Sequence, residues 1–364
     1  MSIRKIASEA GTSISTVSRV LSDPNYHCRS EKLRSRILKI ALEQGYTPNP
    51  AARSLREKKS EKLFYINVLM ARTDKSQTDP FFSELLRVIE TEIRKNTCIL
   101  SHVWYMPVCS NEKKCAHLDM DLEIDKVCGL RGSASGNTLG AEPFDGLVIV
   151  GKCCDKALNA WKKRCNHIVS INRNSTTNLV DEVTCDGRKI AQTAVDHLVG
   201  LGHTQIGYIG NCYHEARYAG FQTALQRAGL ELIPDYIVET DQTERMGYEA
   251  MEILLERRDR PTGIYCANDI TAIGALKYIR AKCANYYHPS IVAADDIDDA
   301  KYASPMLTTV RLPRDEMAHF AILILMDRLN RLHTTVSRME FEGTLMVRLS
   351  AKEPGNMDWS DYAG

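Results

Sequence analysis

One arginine among hydroxyls is the first place where this sequence offers chemistry. In TSISTVSRVL, residues 12–21, helical spacing puts Ser15, Ser18, Arg19 and, one residue beyond, Ser22 on one side, with Val17, Val20 and Leu21 on the other. A guanidinium presents a planar fork of donors that matches guanine O6 and N7, so Arg19 can read a base edge in a major groove. Ile14 and Ser15, at the start of the same helix, can touch neighbouring bases, while Thr16 and Ser18 can hold phosphate oxygens. The competing reading of a lone arginine is a solvated surface charge. Its surroundings decide between the two.

Those surroundings are three short helices. Ile3, Ile6, Ala7 and Ala10 make one apolar stripe, Gly11 supplies a left-handed stop, and Ser13 is placed to cap the Arg19 helix. Ser30 and Glu31 open a third helix with Leu33, Ile37, Ile40 and Ala41 facing inward, and Gly45 ends it. The arrangement buries one small core and projects the polar face of the second helix outward, the geometry of a recognition helix. Charge agrees: residues 1–59 hold 12 Lys and Arg against 5 Asp and Glu, while the other residues hold 35 against 41. A basic head on an acidic body points to a polyanion partner for the head alone.

GYTPNPAARSLREKK, residues 45–59, extends the polyanion argument. Asn49 can cap and Pro50 can open a helix through Ala52 and Leu55 that is too short to hold itself in free solution. Folding on DNA, two copies side by side would press Leu55 into a minor groove while Arg53, Arg56, Lys58 and Lys59 track phosphate. A plain interdomain linker is the alternative.

Catalytic and metal chemistry find little support. GLGHTQIGYIG, residues 200–210, runs from a helix into a strand, the reverse of the order a phosphate cradle needs. No GxSxG, HExxH or Walker pattern occurs, and His203 reads as a structural loop residue. Asp295 and Asp296 are neighbours on a strand and cannot both point the same way as a catalytic carboxylate pair. The 12 cysteines include no CxxC pair and read as reduced thiols packed like small apolar side chains. No metal, cofactor or catalytic residue is therefore expected. Neither a signal peptide nor an apolar run of membrane-spanning length is present, which places the protein in the cytoplasm.

From residue 62 to 350 strands and helices alternate. Apolar runs at 64–70, 147–150, 168–171, 206–209, 263–266 and 291–294 lead toward helical patterns, as after Asp186, Ala216 and Ile270. Repeated βα units imply parallel sheets covered by helices.

At this point the sequence resembles the LacI/GalR family of bacterial transcription repressors. IRKIASEAGTSISTVSRVLS looks like the family's helix-turn-helix and YTPNPAARSLR like its hinge helix. HLVGLGHTQIGYIG, YCANDITAIGAL and ADDIDDAKYASPMLTTV look like landmarks of its ligand-binding core, whereas residues 107–143 have no clear counterpart. The resemblance implies a small all-α helix-turn-helix DNA-binding domain (1–46) with a hinge helix and linker (47–61). A two-lobed α/β effector domain like periplasmic sugar-binding proteins (62–350) and a tail (351–364) follow. It further implies that Phe81, Phe82, Asn172, Arg217, Gln242, Asn268 and Asp295 line an effector cleft. The aromatic pair would cover the C–H face of a sugar, and Arg217 and Asp295 would approach it from opposite sides. Each has a plainer rival: lobe core for the phenylalanines, turn caps for Asn172 and Asp295, a local ion pair for Arg217.

The function so implied is a homodimeric repressor of carbohydrate-utilisation genes on palindromic operator DNA, controlled by a sugar-like effector. Two alternatives share the two-lobed core: a cytoplasmic carbohydrate-processing enzyme, which would need paired carboxylates, and a sugar-binding transport protein, which would lack the basic head.

Overall fold

The computed structural model describes residues 3–22, 26, 28, 30–43, 63–72, 79–129, 144–174, 176–177, 179–213, 215–283 and 286–362. The chain divides into two compact units, residues 1–63 and 64–364.

In the first unit helices Ile3–Ala10, Ile14–Ser22 and Glu31–Glu43 bury Ile6, Ala7, Ala10, Val17, Val20, Ile37 and Ala41 against one another. Gly11 takes φ 65° and turns the chain between the first two helices. Ser13 Oγ accepts from the Thr16 N–H at 3.1 Å, the cap expected of it. Arg36 donates to the Glu9 carbonyl at 3.0 Å and ties the third helix to the end of the first. Gly45 and the whole of the 47–61 hinge, with Asn49, Ala52, Arg53 and Leu55, lie outside the described residues.

The second unit holds two sheets of six strands. The first runs Arg338–Phe341, Asp181–Cys185, Ile168–Asn172, Gly146–Val150, Tyr65–Met70, Ile99–Tyr105, all parallel. The second runs Thr344–Met346, Thr308–Arg311, Ser290–Asp295, Gly263–Cys266, Ile206–Gly210, Ile237–Glu239, with only Thr344–Met346 antiparallel. Helices Pro80–Lys95 and Arg314–Leu329 pack on the first sheet; helices Gly187–Gly200 and Asp269–Tyr278 pack on the second. The chain crosses between lobes three times, at 185–187, 311–314 and 341–344.

All six strands read from apolar runs are present, extended by a residue at one or both ends in most cases. Strand Asp181–Cys185 opens on two buried carboxylates. Asp181 is satisfied there by Arg328 (2.7 Å), His333 (3.1 Å) and the Ser337 N–H (2.8 Å).

Helices Glu244–Leu255 and Asp269–Tyr278 cross at glycines. A methyl group at Gly247 would strike the Thr271 carbonyl, and one at Gly274 the Glu244 carbonyl, so the backbones meet only because neither residue has a Cβ. This crossing sets the separation of the two helix N-termini, beside which Gln242 and Asn268 sit.

The cysteine reading needs one correction. Cys98, Cys109, Cys153, Cys165, Cys185 and Cys266 are buried thiols, as expected, but Cys115 and Cys154 are paired as a disulfide. Helix Glu112–His117 lays Cys115 against the loop that follows strand Gly146–Val150, a contact that spacing along the chain does not announce. His203 is structural: its ring lies 2.9 Å from both Thr262 Oγ1 and the Lys352 carbonyl oxygen. Residues 351–362 pack on the second lobe through buried Ala351, Met357 and Tyr362. No described helix is long and apolar enough to cross a membrane.

Candidate functional site

In the first unit, helix Ile14–Ser22 turns Ile14, Ser15 and Arg19 to solvent, with Ile14 41% exposed although it is a large apolar residue at a helix start. Ser15 and Thr16 hydroxyls each lie 2.8 Å from Ser13 Oγ, and Ser18 is half-buried. The Arg19 guanidinium stands 5.8 Å from the Tyr26 ring, which holds it on the outer face of the helix. A surface with one oriented cation among hydroxyls and an exposed apolar side chain suits a groove edge better than bulk water.

In the second unit, the carboxyl ends of both sheets face a shared cleft, where an open α/β sheet holds its ligands. Adjoining cavities of 590 and 490 Å³ share Arg72 and Phe82 on their walls; the first also exposes Asn172, Arg173 and Glu215, the second Asp79 and Gln242.

Arg173 follows strand Ile168–Asn172 and reaches across the cleft to Asp295 at 2.9 Å while also holding Asp79 of its own lobe at 3.1 Å. Its guanidinium lies 4.3 and 4.8 Å from the rings of Phe81 and Phe82. Asn174 Nδ2 donates to Glu215 Oε1 at 3.3 Å, a second bond from lobe to lobe. A third tie joins Glu84 to the Asp298 N–H at 3.0 Å.

Arg217 is fully buried. It donates to Glu215 (3.1 Å), to the Ala267 carbonyl (2.5 Å) and to Gln242 Oε1 (3.1 Å). Burial opposes its charge, yet Glu215 and Asp295 nearby hold its pKa above the ordinary value. Burial likewise opposes the Glu215 charge, but Arg217 and Arg72 outweigh it and bring that carboxyl down to about 2. Asp295 goes the other way: burial pushes it up to about 6 despite Arg173 and Arg217. Gln242 at φ 60° and Asp295 at φ 118° are both left-handed, a conformation non-glycine residues keep only where surrounding structure enforces it.

Several of these polar atoms have no partner among the described residues although buried: Asn172 Oδ1, Arg173 Nη1 and Asn174 Oδ1 from one lobe, Gln242 Nε2 and Asp295 Oδ1 from the other. Buried polar atoms are nearly always satisfied, so unpaired ones gathered in one cleft mark a place shaped for a polar guest.

The seven residues carried over for the cleft meet there in different roles. Asn172, Gln242 and Phe82 line the cavities. Phe81 belongs to the first-lobe core, and Asn268 caps helix Asp269–Tyr278 and donates to the Gln242 carbonyl at 3.2 Å. The expectation that Arg217 and Asp295 approach from opposite sides is corrected: both belong to the second lobe, and the residue facing Asp295 from the first is Arg173. Arg72, Asp79, Arg173 and Glu215 were missed. Arg72 and Arg173 lie within two residues of the carboxyl ends of strands read correctly, so the strand-end rule would have pointed to them.

A basic helical head joined to a ligand-holding clamshell defines a class, the ligand-responsive DNA-binding regulator. Residues 2–49 match the model of bacterial regulatory proteins of the lacI family, and residues 195–351 that of the periplasmic binding protein-like domain. Over 360 residues the chain is 28% identical to the HTH-type transcriptional repressor CytR of Escherichia coli K12, covering 96% of each. It is 26% identical to the HTH-type transcriptional repressor PurR of Haemophilus influenzae PittGG, covering 96% of this chain and 98% of the relative. Among solved structures, the transcriptional regulator CelR–cellobiose complex superposes with TM-score 0.64 at 20% identity over 96% of this chain and all of that one. The Lac repressor dimer bound to operator and the anti-inducer ONPF gives 0.62 at 21% identity over 97% and 99%. These two share the fold. The chain thus carries a lacI-family helix-turn-helix domain and a periplasmic binding protein-like domain: it is a DNA-binding transcriptional repressor with a small-molecule effector domain, and not an enzyme.

Proposed function

We propose that this repressor governs carbohydrate-utilisation genes from the cytoplasm and that its effector is a polyhydroxyl compound bound between the lobes. The observation that carries the effector class is the set of buried donors and acceptors, contributed by both lobes, that have no partner among the described residues. A hydroxyl both donates and accepts, so adjacent sugar hydroxyls answer a mixed set of this kind. Asn172, Gln242 and Asp295 make direct contacts on this reading. Arg217 and Asn268 orient Gln242, and Phe81 with Phe82 supports Arg173. The cellobiose of the CelR complex and the ribose bound to a LacI-family regulator of Enterococcus faecium lend support from the same fold.

On the DNA side, residues 1–46 form the reading head, with Arg19 on a base edge beside Ile14 and Ser15, and Thr16 and Ser18 on phosphate. Residues 47–61 form a hinge helix placing Asn49, Ala52, Arg53 and Leu55 at the minor groove. Residues 62–350 bind effector and make the homodimer, which sets two heads on a palindromic operator, and residues 351–364 form a tail. Selection of genomic fragments on the purified protein tests this, followed by gel shifts with and without sugars beside a turnover assay on the same sugars. Recovery of a palindromic site whose occupancy responds to a sugar is expected. Random fragments, or occupancy indifferent to every sugar tried, would sink the proposal.

A further inference from the structure

Not every cation on the walls of the cleft has a partner of its own among the described residues. Arg173 is matched by Asp295 and Asp79, and Arg217 by Glu215. Lys152 at the rim is matched by Glu112 at 2.8 Å. Arg72 remains. It follows strand Tyr65–Met70, lies on the walls of both cavities, and has no ion pair or hydrogen bond among the described residues. Enclosed by the two lobes, it still presents accessible surface to the cavity. Burial first, and then Arg173 and Arg217, bear against its charge; the acids that favour it, Glu215 and Asp79, are already committed to those same two arginines.

A ligand closing this cleft displaces the water that solvates Arg72. A neutral sugar returns hydrogen bonds and leaves a buried cation uncompensated, which is costly. An oxyanion returns both, and a guanidinium fork accepts one in bidentate geometry. Building on the polyhydroxyl reading above, we infer that the effector is an anionic sugar derivative, a sugar acid or a sugar phosphate, whose oxyanion sits on Arg72 while its hydroxyls meet Asn172, Gln242 and Asp295.

The test is calorimetric titration of the full-length protein with matched probes sharing one hydroxyl skeleton: glucose, glucuronate and glucose 6-phosphate, then ribose and ribose 5-phosphate. An anionic member is expected to bind about 10- to 100-fold tighter than its neutral parent, the range of a charge-assisted hydrogen bond. The carboxylate and phosphate arms distinguish the two sources of the oxyanion. Arg72→Gln should collapse the anionic-to-neutral affinity ratio toward one, and Arg72→Lys, which keeps charge but loses the fork, should fall between. Neutral sugars binding as tightly as their anionic partners would overturn this inference and leave the polyhydroxyl cleft standing. Binding of neither series would overturn both. Thermal melts of the two variants separate a lost contact from a lost fold.

Discussion

Arg173 and Asp295 belong to different lobes, and their nearest side-chain atoms are 2.9 Å apart. Both side chains are almost wholly buried, so this ion pair crosses the cleft out of reach of bulk water. It is a clasp between the two lobes, and the carboxylate keeps one oxygen, Oδ1, without a partner among the described residues.

Removing one side of the clasp should be worse than removing both. Arg173→Met strands a buried carboxyl and should cost about 3–5 kcal/mol, the usual penalty for halving a buried pair. Arg173→Met combined with Asp295→Asn should recover part of that loss. Denaturant melts of Arg173→Met, Asp295→Asn, the double variant and wild type give the coupling; additive losses would mean that the pair contributes nothing as a pair.

Two carboxyls of the cleft titrate in opposite senses. Asp295, held at about 6, lies above the ~3.9 of an unfolded aspartate. Its favourable contribution is therefore complete below ~3.9 and lost as pH rises through about 6. Glu215, held at about 2, lies below the ~4.3 of an unfolded glutamate, so its contribution is present above ~4.3 and lost only as pH falls through about 2. As pH rises from about 4.5 to about 6 wild type should thus lose stability relative to Asp295→Asn, while Glu215→Gln shifts the curve without changing its slope there. Parallel wild-type and Asp295→Asn curves would remove Asp295 as the titrating group.

Arg19→Ala separates base reading from charge. About 1–3 kcal/mol should be lost on the operator and much less on random DNA, measured by fluorescence anisotropy at fixed salt. Equal losses on both would make Arg19 a phosphate contact.

Effector and operator must influence each other equally if the cleft controls the head. Operator DNA should shift effector affinity by the factor, typically about 5–150-fold, by which effector shifts operator affinity. Asp295→Asn should abolish that shift and keep operator binding without effector. Identical effector titrations with and without operator would rule out allosteric control by that compound.

The helical head and central strands were legible because their signals are local: the stripe of Val17 and Val20, or the apolar run at 147–150, is visible within a few residues. Strand Asp181–Cys185 was not, because its buried carboxylates are stabilised by Arg328 and Ser337, far along the chain. Arg173 hides for the same reason, its partner Asp295 being supplied by the other lobe. The left-handed backbone of Gln242 and Asp295 is imposed by tertiary structure and leaves no mark in composition. Resemblance named the neighbourhood of the cleft; only geometry showed that an arginine of the chain itself lies across Phe81 and Phe82.

The three crossings between lobes also govern how the chain can become folded. The first lobe begins at Tyr65, yet Arg338–Phe341 closes its sheet and Arg314–Leu329 packs on its strands. A ribosome therefore delivers strand Thr308–Arg311 of the second lobe before the first can complete the face of its sheet that Arg314–Leu329 covers, and Asp181 waits in water until Arg328 arrives. The lobe begun first is finished among the last, at a synthesis rate of about 5–20 residues per second. Neither lobe is one unbroken piece of chain, so a break before residue 314 leaves both sheets without their last strand.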